Sequence, residues 1–80
     1  MSANEEVLFE VIGDVLSVDN KAIRMNSDLS NDYGMTSINL LMIVTTLCEK
    51  LPFDIASITE QDLSRINTPE DLALLFFRGV

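Results

Sequence analysis

Asp32-Tyr33-Gly34-Met35-Thr36-Ser37-Ile38 decides how this chain is read. The stretch joins a polar loop to the most apolar segment of the sequence, Ile38 to Leu51. Gly34 can take a positive φ that other residues resist, which suits a sharp turn into a helix. Thr36 and Ser37 then stand where helix-capping hydroxyls are expected. From Ser37 to Lys50 the spacing predicts a helix. Leu40, Ile43, Val44, Leu47 and Leu51 share one face of it, the core face. The opposite side carries Ile38, Asn39, Met42, Thr45, Thr46 and Glu49, with Leu41 and Cys48 on one flank. Leu51-Pro52 ends the helix, because the residue before proline is pushed away from helical angles.

Working outward toward the N-terminus, Ser17 to Thr36 is rich in Ser, Asn and Asp, with isolated hydrophobes at Ile23, Met25, Leu29 and Tyr33. A connection this long in a compact domain is either functional or pinned by its own side chains. Asp19 to Ile23 can form a short helical turn, and Leu29 and Tyr33 are the expected anchors. Before it, Leu8, Val11, Ile12, Val15 and Leu16 follow the i, i+3, i+4, i+7, i+8 rhythm of a helix over about Asn4 to Leu16. Glu5 and Glu6 sit near its start, where the helix dipole favours negative charge. Gly13 is tolerated inside it at a cost of about 1 kcal/mol against alanine.

Beyond Pro52, Phe53 and Ile55 read as a short extended segment returning to the core. A short helix is expected over roughly Thr59 to Arg65, with Thr59 as its cap and Asp62 three residues on. The last start signal is clear: Thr68 can cap, Pro69 fits the first helical position, and Glu70 and Asp71 fill an acidic first turn. Leu72, Leu74, Leu75 and Phe76 supply its apolar face before Gly79 ends it. No strand pattern or internal repeat is present. The expected architecture is all-α: a small four-helix bundle, long, long, short and medium, with a long loop between its first two helices. Residues 1–80 read as a single domain.

Composition narrows the function. Eighty residues can bury about 60–65% of the surface that the unfolded chain exposes, so most apolar residues must serve the core. The net charge of −8 argues against nucleic acid or an anionic membrane surface, which need clustered Lys and Arg. The single cysteine, Cys48, excludes an internal disulfide or a multi-cysteine metal site, and no metal site is expected. The longest uncharged run, Tyr33 to Cys48, is shorter than the ~20 residues of a spanning helix. No basic-then-apolar leader pattern opens the chain, so a soluble cytoplasmic location without membrane insertion is expected. The chain lacks histidine, so no Ser–His–Asp set can be assembled and no catalytic residue is expected.

The opening stretch resembles the modification site of acyl and peptidyl carrier proteins, Asp-Leu-Gly-x-(Asp/His/Thr)-Ser-(Leu/Ile). Asp32, Gly34, Thr36, Ser37 and Ile38 fit it, and Tyr33 replaces the usual leucine. The resemblance covers about Glu5 to Phe77. Leu29 matches the apolar loop anchor, Phe53-Asp54-Ile55 the return after the helix that follows the serine, and Ile66-Asn67-Thr68 the start of the last helix. The resemblance implies a free-standing carrier with 4'-phosphopantetheine, taken from coenzyme A, attached covalently to Ser37. Acyl or aminoacyl groups would ride on it as thioesters in a lipid, polyketide or nonribosomal peptide type pathway. Its implied partners are a phosphopantetheinyl transferase and the pathway enzymes, met as a monomer through Ile38, Leu41, Met42, Thr45 and Glu49.

Two departures matter. Thr36 stands where fatty-acid carriers usually have aspartate, and no charged residue lies between Asp32 and Glu49, where their acidic helix steers basic partners. Housekeeping fatty-acid synthesis is therefore less expected than a dedicated pathway. The competing reading is a small helical protein-interaction adaptor in which Ser37 is only a helix cap.

Overall fold

Helix α1, Ala3–Leu16, opens the computed structural model, which describes residues 3–77. Its inner face buries Leu8, Val11 and Ile12 as the spacing predicts, with Phe9 added, while Val15 and Leu16 are half-buried. The helix closes on Ser17, whose φ of 58° is left-handed. Val18 N–H then donates to the Gly13 carbonyl at 3.0 Å, a bond that turns the chain back over the last helical turn. Gly13 is required by that return. A Cβ at this position would lie 2.9 Å from the Val18 carbonyl oxygen and 3.2 Å from Asn20 Cβ.

The connection that follows is more structured than its sequence suggests. A 3-10 turn, Asn20–Ala22, is capped by Asp19, whose carboxylate accepts the Lys21 N–H at 2.9 Å. A short helix, α2, spans Leu29–Tyr33. Asp28 caps it by accepting the Asn31 N–H at 3.0 Å, and Gly34 terminates it with φ 66° and ψ 31°. Leu29 is fully buried, and Tyr33 is half-buried with its hydroxyl donating to the Ala22 carbonyl at 3.3 Å. Both expected anchors therefore hold the connection down.

Helix α3, Ser37–Lys50, turns Leu40, Ile43, Val44 and Leu47 into the core, with Leu51 half-buried just past its end. Phe53 does return to the core, its ring 4.8 Å from that of Phe76. Ile55 does not. Asp54 caps a 3-10 turn, Ile55–Ser57, which leaves Ile55 47% exposed rather than extended toward the core.

Helix α4, Glu60–Ser64, starts on a reciprocal pair: Thr59 Oγ1 accepts the Asp62 N–H at 3.1 Å, and the Asp62 carboxylate accepts the Thr59 N–H at 3.0 Å. Helix α5, Pro69–Phe77, repeats the device with Thr68 and Asp71 at 3.2 and 3.0 Å. Pro69, Leu72 and Phe76 are its buried positions. Leu74, expected on the apolar face, is 58% exposed, because at 100° per residue it points away from the Leu72–Phe76 stripe. The expected stop at Gly79 lies outside the described residues.

The described residues thus form an all-helical bundle, with α2 added to the four expected helices. Helix α1 packs against both α3 and α5. Leu47, fully buried in that core, gives a direct measure of its importance: Leu47→Ala should cost about 2–5 kcal/mol through lost burial and a residual cavity, read by chemical denaturation. Two substitutions at the C-terminal end of α1, one in its last turn and one just past it, should have opposite signs in the same assay. Gly13→Ala, normally favourable in a helix, should destabilise by ~1–2 kcal/mol because its methyl meets a backbone oxygen. Ser17→Gly should stabilise by ~0.5–1 kcal/mol by relieving a left-handed residue.

Candidate functional site

Gly34 and Thr36 together set where α3 begins. The Gly34 N–H donates to the Ser30 carbonyl and the Met35 N–H to the Leu29 carbonyl, both at 3.0 Å. Nothing lies within 4 Å of where a Gly34 Cβ would stand, so its left-handed backbone, not crowding, accounts for the glycine. Met35 is buried, and the chain then rises in extended form through Thr36, φ −99° and ψ 171°, into the helix.

Thr36 is the cap. Its Oγ1 accepts the Asn39 N–H at 3.1 Å, and the Asn39 Oδ1 accepts the Thr36 N–H at 3.1 Å in return. Ser37 is the first residue of the helix proper, and it is exposed. No hydrogen bond among the described residues engages its hydroxyl. The reading in which Ser37 is only a helix cap is thereby corrected: that task falls to the residue before it, which has the reciprocating partner three positions on.

An open cleft of about 210 Å³ lies beside this serine, lined by Met35, Leu40, Leu63 and Ile66 with the hydroxyl-bearing Ser30 and Ser64. The sequence singled out none of Ser30, Leu63 or Ser64. No signal in the sequence alone ties α4 to the start of α3; only the folded chain brings them together.

The electrostatics suit an anion at Ser37. The first N–H groups of a helix have no intrahelical acceptor and sit at its positive end. Helix α3 carries no acid in its first turn. Asp32, part of the predicted motif, instead serves α2: its carboxylate accepts the Asp28 N–H at 3.2 Å. The Asp28 carboxyl is held below the ordinary carboxylate range, chiefly by the Asn31 N–H. Cys48 is half-buried, and burial, helped by the charge of Asp54, pushes its thiol up. A thiol of that kind is little ionised and a poor nucleophile.

The residues expected to meet partners form a stripe down the outside of α3. Ile38, Leu41 and Met42 are 71%, 52% and 50% exposed. Thr45 is half-buried one turn further on, and Glu49 is exposed near the helix end.

These residues fit a phosphodiester on the Ser37 oxygen: an unpaired exposed hydroxyl, neighbouring free N–H groups, and no carboxylate in the first turn of α3. No curated protein matches the chain. The profile of a family described as phosphopantetheine attachment site does match it, over residues 6–76. With a match that reaches from the first turns of α1 to Phe76 in α5, the chain belongs to the phosphopantetheine attachment site family, whose members bear covalently attached 4'-phosphopantetheine.

Proposed function

We propose that this chain is a carrier whose phosphopantetheine arm is attached to Ser37 Oγ. The observation that carries the reading is the unpaired, exposed hydroxyl at the first position of α3, one residue beyond a cap that is already satisfied. In the attachment, Ser37 Oγ attacks the phosphorus of coenzyme A that bears pantetheine. A new O–P bond forms, the pyrophosphate bond breaks, and adenosine 3',5'-bisphosphate leaves. The chain lacks histidine to take the serine proton, and the family resemblance implies a separate transferase that supplies both the base and Mg²⁺. This carrier is not itself an enzyme, which agrees with the typically non-catalytic character of carrier domains in this family.

Once in place, the arm supplies a terminal thiol that holds acyl or aminoacyl groups as thioesters. The chain's own residues do the rest. The first N–H groups of α3 stabilise the phosphodiester charge, and the fixed helix start orients the arm's root. Ile38, Leu41, Met42 and Thr45, with Glu49 at the far end, form the docking stripe for pathway enzymes. An apolar stripe without acids near the serine favours a dedicated lipid, polyketide or peptide pathway over one that uses charge-steered partners. No helix among the described residues is long and apolar enough to cross a membrane, and the carrier is proposed to work as a cytoplasmic monomer.

Incubation with a broad-specificity phosphopantetheinyl transferase and coenzyme A should add one arm to the intact mass, and Ser37→Ala should abolish the addition. Because Thr36 holds the cap, Ser37→Ala should change stability by less than ~0.5 kcal/mol, as for an ordinary surface site. Docking gives a second test, by titration against the pathway enzyme at low and high salt. Screening shortens from ~10 Å at 0.1 M to ~3 Å at 1 M salt, so affinity through an apolar stripe should survive the change. Met42→Glu should weaken the complex by ~10-fold or more, whereas Glu10→Gln on α1 should leave it within ~2-fold. Collapse in salt, or indifference to Met42, would move the docking surface to the acidic helices.

A further inference from the structure

Two adjacent hydroxyls stand at the start of α3, and only Thr36 caps it. Thr36 Oγ1 accepts the Asn39 N–H at 3.1 Å and donates to Asn39 Oδ1 at 3.0 Å, while that same Oδ1 accepts the Thr36 N–H at 3.1 Å. Thr36 is thus engaged through both its backbone and its side chain. Ser37 is intrinsically as good a cap, since serine ranks at or above threonine. A helix start shifted by one residue would bring the Leu40 N–H to Ser37 Oγ. The residue that would then have to return the bond is Leu40, which has no side-chain acceptor and is buried in the core. Asn39 therefore completes a capping box for Thr36 that no residue can complete for Ser37.

We infer that Asn39 is a positioning residue for the modification of Ser37: by locking the helix start at Thr36 it keeps the Ser37 hydroxyl unpaired and outside the cap. The inference rests on the attachment reading of Ser37. In the shifted register, the serine oxygen spends a lone pair on a backbone N–H and turns toward the helix end, away from an incoming phosphorus. The transferase then meets only the fraction of molecules in the competent register, and its apparent affinity falls by that fraction. Charge at Asn39 is not needed for this. An oxygen acceptor at that position is.

The experiment is steady-state transferase kinetics on the full chain, with a broad-specificity transferase and coenzyme A. Asn39→Ala should raise KM for the carrier ~2–5-fold with kcat nearly unchanged, since binding selects the competent register. Thr36→Ala, which leaves Ser37 as the remaining capping hydroxyl, should raise it further, ~10-fold. Asn39→Gln keeps an uncharged acceptor oxygen at the position that returns the capping bond, and should bring KM back toward the wild-type value without placing a carboxylate beside Ser37. Amide hydrogen exchange at position 39 should quicken in Asn39→Ala and recover in Asn39→Gln, independently of any transferase. A modified wild type with the same KM in Asn39→Ala overturns this inference alone, as does failure of Asn39→Gln to lower KM from the Asn39→Ala value. A wild type that no transferase modifies overturns the attachment reading and this inference together.

Discussion

Two backbone hydrogen bonds across the molecule fix where α3 can begin: Leu29 N–H to the Asn67 carbonyl at 2.8 Å, and Glu70 N–H to the Met25 carbonyl at 3.0 Å. Both donors lie in the first turn of a helix, α2 and α5 respectively, where N–H groups have no intrahelical acceptor. Each helix thus satisfies an orphan donor on the chain leading into the other. Asn67 is held through both its backbone groups, because its N–H also donates to the Asp71 carboxylate at 2.9 Å. With Leu29 fully buried at the same point, the connection has little freedom left. From Leu29 to Thr36 only a five-residue helix, a left-handed glycine and a buried methionine intervene. Fixing one end therefore fixes the other.

That constraint explains how a small core can hold the exposed Ser37 hydroxyl in one place. In a chain of 80 residues, a connection held by side chains alone would leave many backbone groups to water and would sample many shapes. Here caps and turns take up the backbone donors one by one: Asp19 for Lys21, Asp28 for Asn31, Thr36 for Asn39. Each cap is worth only about 1 kcal/mol. Together they replace the core that so small a domain cannot enlarge.

The helices with a full apolar period were legible in the sequence. Spacing, with the Thr36-Ser37 and Leu51-Pro52 boundary signals of α3, placed α1 and α3 within a residue of their ends, and Thr68-Pro69 placed the start of α5. Helix α2 was not legible, because five residues carry only Leu29 and Tyr33 and no period can be counted over so short a span. Its boundary signals were present all the same, with Asp28 at one end and Gly34 at the other. Ile55 was misplaced because an alternating Phe53-Asp54-Ile55 looks extended, whereas Asp54 uses its carboxylate on the Ala56 N–H and bends the chain into a turn. At the start of α3, the motif singled out Ser37 but not its division of labour with Thr36, which holds the cap. Two neighbouring hydroxyls look alike in sequence; only the side chain three residues after each one separates them, Asn39 for Thr36 and Leu40 for Ser37.

Helix α3 carries apolar residues on both sides, and the two sides are under different constraints. The inner set, Leu40, Ile43, Val44 and Leu47, is at most 8% exposed and accounts for folding. The outer set, Ile38, Leu41 and Met42, is at least half exposed and contributes little to the core. A helix apolar all round is normally buried all round. Leaving this one half in water invites self-association, and the net charge of −8 opposes that by repulsion between copies. Of the acids that supply the charge, only Glu49 lies on the stripe, at its far end from Ser37, while Glu6, Glu10 and Asp14 are exposed on α1 and Glu70 on α5. Repulsion therefore acts between whole molecules at long range, while the surface next to Ser37 stays uncharged at contact distance. A partner that matches an apolar stripe can approach there without desolvating a carboxylate. On the carrier reading, the same arrangement keeps the ground around the phosphodiester free of like charge, so one distribution of acids serves solubility, docking and the attached anion at once.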